Sequence, residues 1–201
     1  MTRVFALAAF VGSVFAFVSA SHGALFQYTA SLNGGNESPA NGSPATGSVE
    51  VDYNDAAHTL RLFGSFSGFP AGDTTQAAHI HAATSSPLTG TAGVATVAPA
   101  FPGFPLGVTS GAFDSTLDLT MTSSWNGSYI TAHGGTTSGA ETALAMALAA
   151  QESYFNIHTV NVGGGEIRGF LMPVPEPATF GLAALGALGL FAMRARTKSA
   201  R

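Results

Sequence analysis

Between residues 21 and 172, apolar and polar positions alternate in short runs separated by clusters of Gly, Pro, Asn and Ser, the period-two pattern of strands with one buried face. Phe26, Tyr28, Ala30 and Leu32 alternate first, Val49, Val51 and Tyr53 follow, and Leu60, Leu62, Gly64 and Phe66 come next. The turn residues Asn54 and Asp55 between the second and third runs predict a hairpin. Further strands are predicted over 77–82, 94–97, 117–121, 154–159 and 166–171. One segment departs from alternation. Ala143, Leu144, Met146, Ala147 and Leu148 have helical spacing behind the capping box Ser138-Gly139-Ala140-Glu141, which predicts a single helix over 139–151. The stretch 99–107 holds three prolines and two phenylalanines and predicts a loop across the domain. The pattern as a whole predicts an all-β fold, an antiparallel β-sandwich with one short helix.

Both ends break the alternation with long apolar runs. Met1-Thr2-Arg3 is followed by apolar and small residues from Val4 to Val18 and then by Ser19-Ala20-Ser21. This is the order of a secretory signal, with cleavage by signal peptidase expected after Ala20. At the other end, Pro173-Val174-Pro175-Glu176-Pro177 precedes an apolar run from Ala178 to Met193 and a basic tail from Arg194. The run predicts a transmembrane helix whose positive tail stays cytoplasmic, and Pro-Glu-Pro predicts a stiff, exposed linker. The chain therefore divides into a signal peptide (1–20), a β-domain (21–172) and a C-terminal sorting segment (173–201).

Composition narrows the chemistry. The 201 residues include no Cys, which excludes disulfides, iron–sulfur clusters and thiolate zinc sites and leaves His and carboxylate as metal ligands. Only 9% of residues are charged, against roughly 25% in an average globular chain. Residues 21–172 hold ten acidic residues but only Arg61 and Arg168 as bases, so phosphate neutralisation, and with it nucleic-acid binding, is excluded.

Three of the six histidines lie in predicted strands. In Ala78-His79-Ile80-His81, the two imidazoles share a strand face with Cα atoms about 6.6 Å apart and can reach one ion while Ile80 enters the core. In Tyr154-Phe155-Asn156-Ile157-His158-Thr159, His158 shares a face with Asn156 and Tyr154. If the two strands are neighbours, His79, His81 and His158 converge on a site suited to copper or zinc. The alternative is three structural histidines that hydrogen-bond across strands. His22, His58 and His133 read as solvated. Glu166 and Arg168 follow a glycine turn and share a face, with Glu166 as a ligand or an orienter of the histidines; the alternative is a structural ion pair fixing the strand end, in which they pair with Glu37, with a His, or with each other across a neighbour. The glycines of 163–165 lack the Lys and the following helix of a phosphate loop.

The motif Val174-Pro175-Glu176-Pro177-Ala178-Thr179, with its helix and basic end, resembles a PEP-CTERM sorting signal. That resemblance implies recognition at Pro175, Glu176 and Pro177 by an exosortase-type membrane enzyme, anchoring by the C-terminal helix before processing, and delivery to the cell surface or extracellular space.

Several further pieces resemble the CHRD domain. They are Phe26-x-Tyr28-x-Ala30-x-Leu32-Asn33-Gly34-x-Asn36-Glu37-x-Pro39, Ala45-Thr46-Gly47, Phe66-Ser67-Gly68-Phe69, Ala78-His79-Ile80-His81, the 154–159 run and Gly165-Glu166-Ile167-Arg168-Gly169. The resemblance implies a Greek-key or immunoglobulin-like sandwich, and His-x-His on such a strand is also similar to Cu/Zn superoxide dismutase topology. The expected function is an exported, non-enzymatic binding or structural module of the surface or exopolysaccharide matrix, with exopolysaccharide or another surface protein as partner. The alternative is a copper or zinc protein, or a metal-dependent enzyme, built on the three histidines.

Overall fold

The computed structural model describes residues 24–175. The segments expected to form a signal peptide cut after Ala20 and a C-terminal transmembrane helix, with Glu176 and Pro177, lie outside the described residues. Eight strands form one curled antiparallel sheet. In chain order they are β1 (Leu25–Asn33), β2 (Thr46–Asn54), β3 (Thr59–Ser67), β4 (Thr75–His81), β5 (Gly111–Asp118), β6 (Tyr154–Thr159), β7 (Ile167–Phe170) and β8 (Met172–Pro173). Their spatial order is β4-β6-β7-β1-β2-β3-β5, with β8 also paired to β1. The hairpin expected at Asn54 is present: β2 and β3 pair from Thr46↔Ser67 to Asn54↔Thr59, and the Asn54 side chain accepts from the amides of Ala56 and Ala57 in the turn.

The alternating residues point where the pattern predicts, except Phe26 near the start of β1, which is exposed. Tyr28, Ala30 and Leu32 on β1, Val49, Val51 and Tyr53 on β2, and Leu60, Leu62 and Phe66 on β3 are buried, while their neighbours on the other face are mostly exposed. The curl carries β5 over the opposite end of the sheet, where Phe113 stacks on Phe155 of β6 with ring centroids 5.7 Å apart. Phe101 and Phe104, from the proline-rich loop, fill the space between, so that loop is a core plug anchored by aromatics.

Two helices sit beside the sheet: α1 (Gly127–Ala132) and α2 (Thr137–Ala149). The expected helix over 139–151 is α2, two residues earlier at each end, and its N-cap is Thr136, whose hydroxyl accepts from the Gly139 amide. The second helix, α1, is additional to the single one expected. Glu141 reaches from α2 into the interior, where the Tyr53 hydroxyl donates to it at 3.0 Å. His58, expected to be solvated, is half-exposed and lies 2.9 Å from the same carboxylate.

At the other end of the sheet, β4 and β6 are covered on both faces. Every residue of β6 is buried, as are Ala78 to His81 of β4. The cover comes from the segment 92–100, which runs along the free edge of β4 and bridges it at His81↔Val94 and Ala78↔Ala100. An edge strand is thereby sealed from further pairing, and a second, polar interior is created behind the apolar one.

The β-domain runs slightly past 172. Leu171 is fully buried, and the Val174 amide donates to Gln27 on β1 at 2.8 Å. Pro175 follows directly.

Candidate functional site

The polar interior is built from three strands. Antiparallel pairing of β4 and β6 sets His79 opposite Asn156, His81 opposite Tyr154 and Ala77 opposite His158, and β7 adds Arg168 opposite Asn156. Because side chains alternate, Ile80, Phe155 and Ile157 enter the apolar core while His79, His81 and His158 project together to the other side. Their rings lie 4.7 Å (79–81), 4.7 Å (79–158) and 5.8 Å (81–158) apart between centroids. One ligating nitrogen from each comes within 4.8 Å of the other two. For comparison, nitrogens bound at 2.0–2.1 Å to a tetrahedral ion stand roughly 3.4 Å apart.

Each ring is held by a backbone carbonyl. His79 Nδ1 meets the Pro99 carbonyl at 3.1 Å, His81 Nδ1 the Ala92 carbonyl at 2.8 Å, and His158 Nδ1 the Gly163 carbonyl at 3.0 Å. A carbonyl only accepts, so each Nδ1 carries the proton and, in the neutral ring, each Nε2 carries a lone pair. All three Nε2 atoms are buried without a hydrogen-bond partner. Burial, reinforced by the charge each neighbouring ring would carry, holds His79 down to about 3. Burial likewise lowers His81, to about 4, and His158. The rings are therefore neutral at ordinary pH. An unpaired buried acceptor costs about 1–3 kcal/mol. Three of them converging on one point is an arrangement that a bound cation would relieve.

The glycine run 163–165 serves this geometry. Gly165 has φ +124°, and a Cβ there would stand 2.4 Å from the Asn156 side chain. Only glycine lets the loop fold back tightly enough to bring the Gly163 carbonyl to His158.

Outside the trio lies a stacked column. Tyr154 lies parallel to His81 at 4.7 Å, and the Arg168 guanidinium sits 4.6 Å over the Tyr154 ring. Arg168 donates to the carbonyls of Asn36 and Gly90 and lies 3.7 Å from Glu37. Burial outweighs this cation and pushes the Glu37 carboxyl up to about 7. Of the partners open to Arg168 in the sequence, Glu37 is the one it meets. Glu166 stands just before β7 and does not join the three nitrogens. Its carboxylate accepts from the Ser43 hydroxyl at 2.6 Å and from Thr159 at 2.5 Å, fixing the strand end beside His158. Sequence reasoning missed Tyr154 as a supporting ring and the carbonyls of Ala92 and Pro99. The stack on His81 was legible only in the shared strand face, and carbonyls leave no trace in residue type. His133 packs on Tyr129 with ring centroids 4.3 Å apart and does not join the three nitrogens.

Next to Arg168 opens a cleft of about 440 Å³, lined by Asn36, Glu37, Ser38, Thr89 and Phe170 among others.

No curated protein and no solved structure matches the chain. The model of the PEP-CTERM protein-sorting motif matches residues 173–196, which marks an exported protein processed through an exosortase. The CHRD domain model matches residues 28–171, a span that takes in the curled sheet, the segment along β4 and all three clustered histidines, and the chain belongs to the CHRD domain family.

Proposed function

We propose that the protein is an exported metal-binding module that holds one copper or zinc ion between His79, His81 and His158. The observation that carries this reading is the convergence of three buried, unpartnered Nε2 atoms, each ring fixed in one tautomer by a carbonyl. Carbonyl-bound Nδ1 atoms are the usual outer support of metal-ligating imidazoles. A bound ion would accept the three lone pairs and so tie β4 to β6. Glu166 and Arg168 act as structural supports, Glu166 at the end of β6 and Arg168 in its pair with Glu37. The curled sheet, with long connections from β3 to β4 and back to β5, is in this reading a Greek-key sandwich.

The C-terminal helix anchors the chain before processing, and the domain then works at the cell surface or in the surrounding matrix. The cleft beside Arg168 favours a second role there, contact with exopolysaccharide or another surface protein, since its amide, hydroxyl and aromatic lining suits a polar ligand.

Metal content of the protein purified from its host and then dialysed against copper or zinc tests the proposal. About one ion per chain is expected, falling to background in the His79→Ala/His81→Ala/His158→Ala variant. Equal metal in both proteins would refute it.

A further inference from the structure

Among the described residues no carboxylate joins the three histidines as a ligand, and that constrains the ion. We infer that the site selects monovalent copper, Cu(I), over zinc; this rests on the metal-binding reading above and adds the identity and charge of the ion.

All three donors are neutral imidazoles, so the filled site carries the full charge of its ion. The desolvation cost of an ion grows as the square of its charge, and a divalent ion therefore pays about four times what a monovalent one does in the same surroundings. Those surroundings are closed: His79, His81 and His158 are 6%, 8% and 7% exposed, and their Nε2 atoms are solvent-inaccessible.

The charged groups around the site add to the discrimination. The Arg168 guanidinium lies beyond Tyr154 in the stack on His81 and repels a divalent ion twice as strongly as a monovalent one. Glu37 sits 3.7 Å from that guanidinium, but burial favours its protonated form, so it offsets the repulsion incompletely at neutral pH. Glu166, which accepts from Ser43 and Thr159, and the buried Asp73, which accepts from the Asn161 amide, stand at the far end of β6 and do not join the three nitrogens. Among the described residues no carboxylate joins the three nitrogens.

Coordination number points the same way. Zinc takes four ligands, and three-histidine zinc sites keep an open position for water, which solvent-inaccessible Nε2 atoms do not provide. Cu(I) is a closed-shell d¹⁰ ion that accepts three nitrogen donors without a fourth.

The test is competition on the metal-free protein purified from its host. Cu(I), kept reduced under anaerobic conditions, is titrated against bicinchoninate, and Zn(II) against a chromophoric zinc chelator. One Cu(I) per chain is expected, bound at least 1,000-fold more tightly than Zn(II). Zinc binding as tight as Cu(I) overturns the inference and leaves the metal-binding reading standing, whereas failure to bind either ion overturns both.

A second arm isolates the role of charge. Asn156 faces His79 across the strand pair, and Asn156→Asp places an anion beside the site without changing side-chain size. It is expected to narrow the gap between the two ions at least tenfold, and an unchanged gap overturns the electrostatic basis of the selectivity.

Discussion

His79, His81 and His158 differ from the other described histidines in a way that decides their chemistry: each has a committed Nδ1 and a buried, unpartnered Nε2. Replacing any one by Ala removes a ligand that its neighbours cannot supply, and metal affinity is expected to fall at least 100-fold by equilibrium dialysis. His133→Ala, which removes a ring that packs on Tyr129 and lies outside the three-nitrogen group, is expected to leave it unchanged. The same residues set the acid response of the metal-free protein. A histidine lowered from 6.5 to about 3 or 4 binds fewer protons folded than unfolded. Its stabilising contribution is therefore present above about pH 6.5 and lost as pH falls toward 4 and 3. Glu37, raised from 4.5 to about 7, has the opposite sign. Its contribution is full below about pH 4.5 and is lost as pH rises through 7. Denaturant titrations at several pH values are expected to show acid destabilisation driven by the histidines. The Glu37→Gln variant is expected to gain stability relative to wild type between about pH 4.5 and 7.

At the scale of elements, short backbone segments do the positioning. The loop 160–165 turns at Gly165, and Gly165→Ala places a methyl group against Asn156 at a positive φ. The displaced loop is expected to pull the Gly163 carbonyl from His158 and to weaken metal binding about 10- to 100-fold, the usual effect of losing an outer hydrogen bond to a ligand. On the far side, α2 is pinned to β2 through Glu141 and Tyr53. Glu141→Ala leaves a buried hydroxyl unpaired and is expected to cost about 1–3 kcal/mol in thermal unfolding without altering metal affinity. These elements also show what the sequence could reveal. Alternation located β1, β2, β3 and β6 because each side chain reports its own face, and the H-x-H pair with His158 was readable for that reason. The six residues of α1 are too few for a helical period, and Asn126, its N-cap, reads equally well as a loop residue. The segment 92–100 acts through its carbonyls, which any residue offers, so its part in holding His79 and His81 became visible only once β4 had been placed at the sheet edge.

For the whole molecule, the fold separates structure from address. Pairing of β8 with β1 ends at Val174, immediately before Pro175, and the core residues described lie between Tyr28 and Leu171. Residues 21–175 produced alone are expected to be soluble and to give a strand-dominated circular dichroism spectrum with a minor helical part; a helix-dominated spectrum would contradict the sheet. The mature protein from the native host is expected to begin near Ser21 and end near Pro177, which intact mass will show. Extracellular material that retains residues 178–201 would contradict sorting by cleavage.

If three imidazoles from β4 and β6 hold one ion, the first shell of that ion records them. X-ray absorption spectroscopy at the copper or zinc edge of the metal-loaded protein measures this directly. The account expects three nitrogen scatterers about 2 Å from the metal, with the outer-shell pattern of imidazole rings. A first shell with fewer than three imidazoles, or one dominated by oxygen, would contradict it.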